Sequence, residues 1–286
     1  PLAPRDSDTL RASLQLDGEF DSGWSWMGSL TYSENDREVY QPDTISSRLS
    51  AALSGAGGPS GAESFSPFDP SANSPELIEW LSYQTFTNKK TDLTVADFVV
   101  SGDLFEMSAG PVGFAAGAQW REESYSANRN ELYTQSIDPA TGATIPVDLI
   151  FLGGGLPIDE SRDSYAVFAE ANFPLTSSLE ANLAVRYEDL SSDSSIDPKL
   201  SLRWQAADWL VLRASASSAF REPSLVQVYN QETSLQGLVD PASGSSSALF
   251  VRVNSQGSTA LEPETSTNFN MGAVFTPTDN LTFRVD

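Results

Sequence analysis

The sequence predicts an all-β fold: an antiparallel up-and-down transmembrane β-barrel, present in part as about ten strands. Three observations predict it. The dominant period of hydropathy is two, helical periodicity is nearly absent, and tight links between strands take turns with long ones.

From the N-terminus, "TLRASLQLD" sets Leu10, Ala12, Leu14 and Leu16 against Arg11, Ser13, Gln15 and Asp17. The tight link "GEFDSG" (Gly18 to Gly23) follows. Glu34 to Asn88 is a long link rich in Ser, Gly and Pro. Within it "SPELIEWL" (Ser74 to Leu81), opening Ser-Pro-Glu, predicts a short capped helix. After the tight link "AGPVG" (Ala109 to Gly113), Phe114, Ala116, Ala118 and Trp120 alternate with smaller or polar residues. Ser126 to Ser161 is the second long link, carrying "LGGGLP", and "PLTSS" (Pro174 to Ser178) is tight again. "LEANLAVRYED" sets Leu179, Ala181, Leu183, Val185 and Tyr187 against Glu180, Asn182, Ala184, Arg186 and Glu188. The link Ser191 to Ile196 is brief. "KLSLRWQ" alternates Leu200, Leu202 and Trp204 with Lys199, Ser201, Arg203 and Gln205, and "AAD" (Ala206 to Asp208) turns the chain. The long link Phe220 to Pro263 carries "PASGSSS"; "PTDN" (Pro277 to Asn280) then leads into "NLTFRVD", with Leu281, Phe283 and Val285 on one face.

Laid side by side, these strands put the tight turns on one edge of the sheet and the long loops on the other. A soluble sandwich scatters its long connections over both ends. An outer-membrane barrel has short periplasmic turns and long extracellular loops. Alternation alone fits either solvent. The polar faces carry Arg, Glu, Lys and Gln in mid-strand, as a wet lumen would. Trp24, Trp26, Trp120, Tyr187, Trp204 and Trp209 gather near strand ends, where interfacial girdles lie. Keeping apolar faces together at "KLSLRWQAADWLVLRAS" requires even-numbered residues to face even-numbered ones. A three-residue link does this, predicting Trp204 opposite Leu210, Leu202 opposite Leu212, and Arg203 and Arg213 diagonal to each other.

Composition excludes several chemistries. With neither Cys nor His among 286 residues, disulfide frameworks, imidazole bases and thiolate or imidazole metal sites are absent. A net charge of −23 leaves no basic surface for nucleic acid. The acidity reads as a solvated surface rather than as cation-binding loops, because no Asp/Asn-Gly calcium loop is present. No apolar run is long enough for a membrane-spanning helix, and "PLAPRDSDTLRA" has no signal-peptide pattern.

The carboxylate pairs Glu170/Glu180 and Asp193/Asp197 could suggest glycosidase chemistry. Glu170, Glu180, Arg186 and Glu188 fit better as lumen-facing charges. "GGG" (Gly153 to Gly155) opens no helix and precedes no Lys, so it is no phosphate loop. "NLT" at Asn280 matches a glycosylation sequon inside a tight turn, where it carries no weight. The expectation is no catalysis and no cofactor. Tyr125, Tyr133 and Tyr229, placed at loop ends, are the candidate substrate-binding residues.

"WLVLRASASSAFREPSLVQVYN" (Trp209 to Asn230) resembles a segment of TonB-dependent outer-membrane receptors, where a strand leads into a Phe-Arg-x-Pro-Ser-Leu element. "VVSGDLFEMSAGPVGFAAGAQWREESY", "RDSYAVFAEANFPL", "RYEDLSSDSSIDPKLSLRWQAADWLVLRAS" and "LEPETSTNFNMGAVFTPTDNLTFRVD" resemble it too, in the family's order, so that residues 1–286 read as part of one receptor barrel domain. The resemblance implies a barrel of about 22 strands filled by an N-terminal plug. It implies TonB-driven uptake of an iron chelate, cobalamin or an oligosaccharide across a Gram-negative outer membrane. The implied partners are outer-membrane lipid, a small-molecule or oligosaccharide ligand, and the TonB complex reached through the plug. No plug or TonB-contacting box is seen before Pro1 and the chain stops inside a strand at Asp286, so it reads as an internal stretch of the barrel. A passive porin-like channel is the alternative, followed by a soluble acidic carbohydrate-binding sandwich. On the barrel reading, Leu210, Leu212, Ala214 and Ala216 face lipid. The strand then reaches headgroup level near Phe220, Arg221 and Glu222 enter water or anionic headgroups, and Pro223 ends the pairing.

Overall fold

The computed structural model describes residues 3–191, 193–244 and 246–286. Pro1 and Leu2, Ser192 of the brief link and Ser245 of "PASGSSS" lie outside the described residues. In chain order the elements are β1 (Arg5–Glu19), β2 (Ser25–Thr44), α1 (Ser46–Leu53), α2 (Pro75–Leu81), β3 (Ser82–Met107) and β4 (Gly110–Arg129). There follow β5 (Ser136–Ile137), β6 (Thr144–Ile145), β7 (Ile158–Thr176), β8 (Leu179–Asp189), β9 (Ser194–Ala207) and β10 (Leu210–Arg221). The last are α3 (Leu225–Tyr229), β11 (Gln231–Leu238), β12 (Leu249–Gln256), β13 (Glu264–Thr278) and β14 (Leu281–Val285).

Ten strands form one antiparallel sheet in the order β1-β2-β3-β4-β7-β8-β9-β10-β13-β14. Every neighbour in space is the next long strand in sequence, which is the up-and-down meander expected. The sheet does not close, and β1 and β14 are its free edges. The pairs β5–β6 and β11–β12 stand apart as small sheets inside the long loops.

One lateral row shows how sequence sets the faces. Leu16, Gly28, Phe98, Ala118, Val167, Tyr187 and Ile196 lie side by side across seven strands. Leu16 is 60% exposed and Ile196 67%, so this apolar row looks outward with nothing of the chain over it. The neighbouring row of opposite parity runs Ser29, Asp97, Gln119, Ala166 and Glu188, and forms part of a hydrogen-bonded inner wall. Going toward the long loops, the outer face passes through Tyr32, then Glu34 and Asp92. Trp120, at this level, donates from Nε1 to Asp163 at 2.9 Å. On β2 to β4, apolar belt, aromatic edge and acidic rim therefore succeed one another along the outer face.

The strands outlast their hydropathy signal. β2 and β3 stay paired from Glu34 opposite Asp92 up to Thr44 opposite Ser82, so the first long loop proper is only residues 45–81. Past the apolar belt both faces meet water, and alternation fades while the backbone ladder continues. The helix in that loop forms as expected: Ser74 caps α2 by accepting from the Leu77 amide at 3.0 Å, with Pro75 in its first turn.

At the β9–β10 hairpin the faces match expectation but the register does not. Trp204 lies opposite Leu212, not Leu210, and Leu202 opposite Ala214. The turn holds two residues, Asp208 and Trp209, with Ala207 opposite Leu210 and Gln205 opposite Val211. Ala206 is thus an extra residue on β9, a bulge that restores parity without a three-residue link. Arg203 and Arg213 are directly opposed rather than diagonal. Each has its own carboxylate: Glu180 at 3.6 Å from Arg203, and Asp286 for Arg213.

Candidate functional site

Inside the curved sheet, the inner wall carries charges that satisfy one another. The Arg121 guanidinium donates to Glu188 at 2.9 Å, and Arg186 holds the other oxygen of Glu188 at 2.7 Å. Arg186 also donates to Gln119, whose amide donates to Asp97 at 2.6 Å. Asn182 donates to Glu170 at 2.6 Å. The four residues read from sequence as lumen charges, Glu170, Glu180, Arg186 and Glu188, share this face. Glu180, on the same wall, pairs with Arg203 at 3.6 Å.

Within the Phe-Arg-Glu-Pro stretch Arg221 stays exposed, paired with Glu264 at 3.2 Å, whereas Glu222 turns inward rather than toward headgroups. β10 does end at Arg221, and Pro223 stops the ladder. Glu222, expected in water or lipid headgroups, instead meets Arg162 at 3.2 Å. Arg162 also donates to the Pro223 carbonyl at 2.7 Å and pairs with Glu123 at 3.0 Å. Phe220, expected at the lipid edge, borders a recess with Arg121, Glu123 and Arg162. Two buried guanidinium bonds pull the chain in. Ser224 then starts α3 through a reciprocal capping box with Gln227. Leu225 packs with Tyr125, Ala127 and Ile158 against the inner wall. A cavity of about 490 Å³ lies between α3 and the wall, bordered by Asn35, Leu93, Arg121, Glu123 and Tyr125.

The long loops fold on one another. Ile45, Tyr133, Val147 and Leu149 form one buried cluster drawn from two of them. Asp43, at the end of β2, accepts from the Leu152 amide at 2.7 Å. Gly153 to Gly155 run between the second and third loops. The Thr233 amide donates to Gly154 O at 2.9 Å and the Gln135 amide to Gly155 O at 2.9 Å. A Cβ at Gly155 would sit 2.7 Å from the Arg129 guanidinium and from Gln231 O, so glycine permits the close approach. "GGG" is a packing device, in keeping with its failure as a phosphate loop.

Above this strap, β5–β6 and β11–β12 enclose a cavity of about 450 Å³. Gln135, only 3% exposed, donates from Nε2 to Gly153 O and to Thr233 Oγ1, both at 2.8 Å, and its Oε1 has no partner. Gln231 donates to Thr144 at 2.7 Å across the two loops. Arg252 donates to the Leu149 carbonyl. Asn254 and Gln256 project carboxamides with no hydrogen bond among the described residues. Gln231 and Gln256 are directly opposed and also border a second recess, of about 330 Å³, with Tyr229.

The three tyrosines singled out in the sequence are placed very differently. Tyr125 is 4% exposed on the inner wall, and its hydroxyl has no partner. Tyr133 is buried in the loop cluster with the Arg129 guanidinium 5.9 Å from its ring centre. Burial pushes its phenol pKa up, since the phenolate is the form that loses solvation. Tyr229 is 39% exposed at the mouth of the polar recess. Sequence reasoning missed Gln135, Gln231, Asn254 and Gln256. Their only signal is the polar alternation Arg252, Asn254, Gln256 in "VRVNSQ", which marks one face of β12.

The family model "TonB dependent receptor-like, beta-barrel" matches residues 2–286. No curated protein sequence matches significantly. Among solved structures, a mutant of the ferric enterobactin receptor PfeA from Pseudomonas aeruginosa is 19% identical, with a TM-score of 0.60 over 97% of this chain and 33% of that one. The siderophore receptor PirA from Acinetobacter baumannii is 18% identical, with a TM-score of 0.53 over 96% of this chain and 34% of that one. The RagAB peptide transporter is 10% identical, with a TM-score of 0.52 over 96% and 29%. At these identities the structural likeness speaks for the fold alone, and this chain spans about a third of the length of those it matches. With the family model covering nearly all of its residues, the chain belongs to the TonB-dependent receptor β-barrel family.

Proposed function

We propose that this chain forms part of the wall and the outer loops of a Gram-negative outer-membrane receptor that takes up a scarce nutrient with energy from the TonB complex. The observation that carries the reading is the asymmetry of the sheet. One edge has turns of two to five residues; the other has, beside the four-residue β8–β9 link, three long loops that pack on one another and enclose a polar cavity. Ligand capture belongs at the looped edge, and passage belongs along the charged inner wall. The relatives' names speak of siderophores and of peptides. Here the ligand is an iron chelate, cobalamin or an oligosaccharide. The reading involves no catalytic step: the wall carboxylates are held by arginines and amides.

The test is uptake by cells that make the receptor. Accumulation that stops on deleting TonB or adding a protonophore is the expected result. Accumulation that continues unchanged would make the protein a passive channel. A protein that fractionates wholly with soluble material would overturn the membrane assignment itself.

A further inference from the structure

We infer that the cavity between β5–β6 and β11–β12, with its recess at Tyr229, is a binding site for a neutral oligosaccharide. The inference rests on the uptake reading above and names its substrate class. The volumes, about 450 and 330 Å³, each lie within the size range of small-molecule sites. The two spaces are neighbours that share Gln231 and Gln256, so a chain-like ligand filling both would pass these two side chains.

The lining chemistry selects the ligand. Gln135, Gln231, Asn254 and Gln256 offer carboxamides, and Thr144 and Thr233 offer hydroxyls. Each such group both donates and accepts, which matches the vicinal hydroxyls of a sugar. The Asn254 and Gln256 side chains make no hydrogen bond among the described residues, and the Gln135 Oε1 is an unpaired acceptor on a residue 3% exposed. Among the described residues no carboxylate lines either space. Arg252, the cation among the described lining residues, is already engaged by the Leu149 carbonyl. An anionic ferric chelate would find little counter-charge here, and a net charge of −23 opposes its approach. At the mouth, the half-exposed Tyr229 ring supplies a flat apolar platform with a polar tip, suited to the face of a pyranose. The glycine strap and the Gln135 bonds to Gly153 and Thr233 tie the two hairpins together and hold the site open.

The experiment uses the assembled protein extracted from outer membranes in detergent. Calorimetry is run against neutral hexasaccharides (malto-, cello-, xylo-, laminari- and chito-series), a pool of uncharged hexapeptides, and a ferric tris-catecholate. At least one neutral hexasaccharide should bind. Asn254→Ala and Tyr229→Ala should each weaken it by about tenfold or more, with Tyr229→Phe close to the parent. Both positions are exposed, so folding is not at stake; unchanged melting confirms this. Binding of the peptide pool or the ferric chelate with no hexasaccharide bound overturns the inference, as does hexasaccharide binding that ignores both variants. Retained TonB-dependent uptake of a peptide or chelate would sink this inference alone. Hexasaccharide binding without TonB-dependent uptake would sink the transport reading alone.

Discussion

Leu183 and Asn182 are neighbours in the chain and meet different surroundings. Leu183 is exposed on the outer apolar face beside Leu200, whereas Asn182 donates to Glu170 on the inner wall. In the assembled barrel, Leu183→Arg should cost roughly 2–4 kcal/mol, because a guanidinium at that depth lies in hydrocarbon. Asn182→Arg should be nearly neutral, since Glu170 and Glu180 are on the same wall. Reversible unfolding from lipid in urea measures both, and equal tolerance of the two would reverse the face assignment. Gly154 is decisive for a different reason. Its φ is +72°, and a Cβ there would lie 2.5 Å from the Tyr133 carbonyl oxygen. Gly154→Val therefore combines left-handed strain with a backbone clash, about 1–3 kcal/mol of local destabilisation. Trypsin should then cut at Arg252 faster, while the heat-induced mobility shift of the barrel stays the same. Loss of that shift would mean that the strap holds the wall as well as the loops.

The tight hairpins obey one rule. A two-residue turn pairs residues whose numbers sum to an odd value, yet the apolar sets of each strand pair need an even one. Each two-residue hairpin (β3–β4, β7–β8, β9–β10 and β13–β14) carries a register shift of one close to its turn. The five-residue link Phe20–Trp24 already has the right parity, and β1–β2 pairs without a shift. Deleting Ala206 should thus leave Trp204 opposite Leu212 and change stability by about 1 kcal/mol or less, as an unpaired residue is lost. Deleting Ser201 inverts part of β9 and should abolish assembly, read as loss of the folded band on unheated gels. The alternation made these faces legible in the sequence. The bulges were not, because one extra alanine leaves no mark in hydropathy. Nor was the loop core: Ile45, Tyr133 and Leu149 are brought together from distant segments, and no local pattern joins them. The β5–β6 turn adds a pH dependence. Asp138 accepts from the Ala140 amide at 2.9 Å and the Thr141 hydroxyl at 2.8 Å, which holds its pKa below the usual carboxylate value. A depressed folded-state pKa means that the stabilisation is present above the ordinary value, about 4, and is lost as pH falls through the lower one. Amide exchange at Ala140 should quicken on acidification through that window once the intrinsic rate is divided out, and Asp138→Asn should flatten the response.

The whole chain has far more surface than a closed globule of its mass. Its accessible area is 17783 Å² for 30.8 kDa. A compact monomer of that mass exposes about 11,900 Å². The excess, about half as much again, is distributed as the architecture requires: an outer belt, a concave inner wall and two open edges. Leu10, Leu14 and Leu16 stand exposed on edge strand β1; Phe269 and Met271, at 77% and 78%, stand on β13 one strand from the other edge. An unpaired strand edge beside an apolar face is a template for association. Charge opposes this: the net −23 keeps copies apart at long range, and salt above physiological strength shortens that repulsion. Residues 1–286 made alone in detergent-free buffer should therefore give no monodisperse monomer, and added salt should speed their association. Detergent should cover the belt but leave the edges unpaired, so sheet-rich oligomers rather than monomers are expected on size exclusion with circular dichroism. A monomer that melts cooperatively without detergent, indifferent to salt, would mean that the apolar rows face one another rather than lipid, and the outward belt would have to be abandoned.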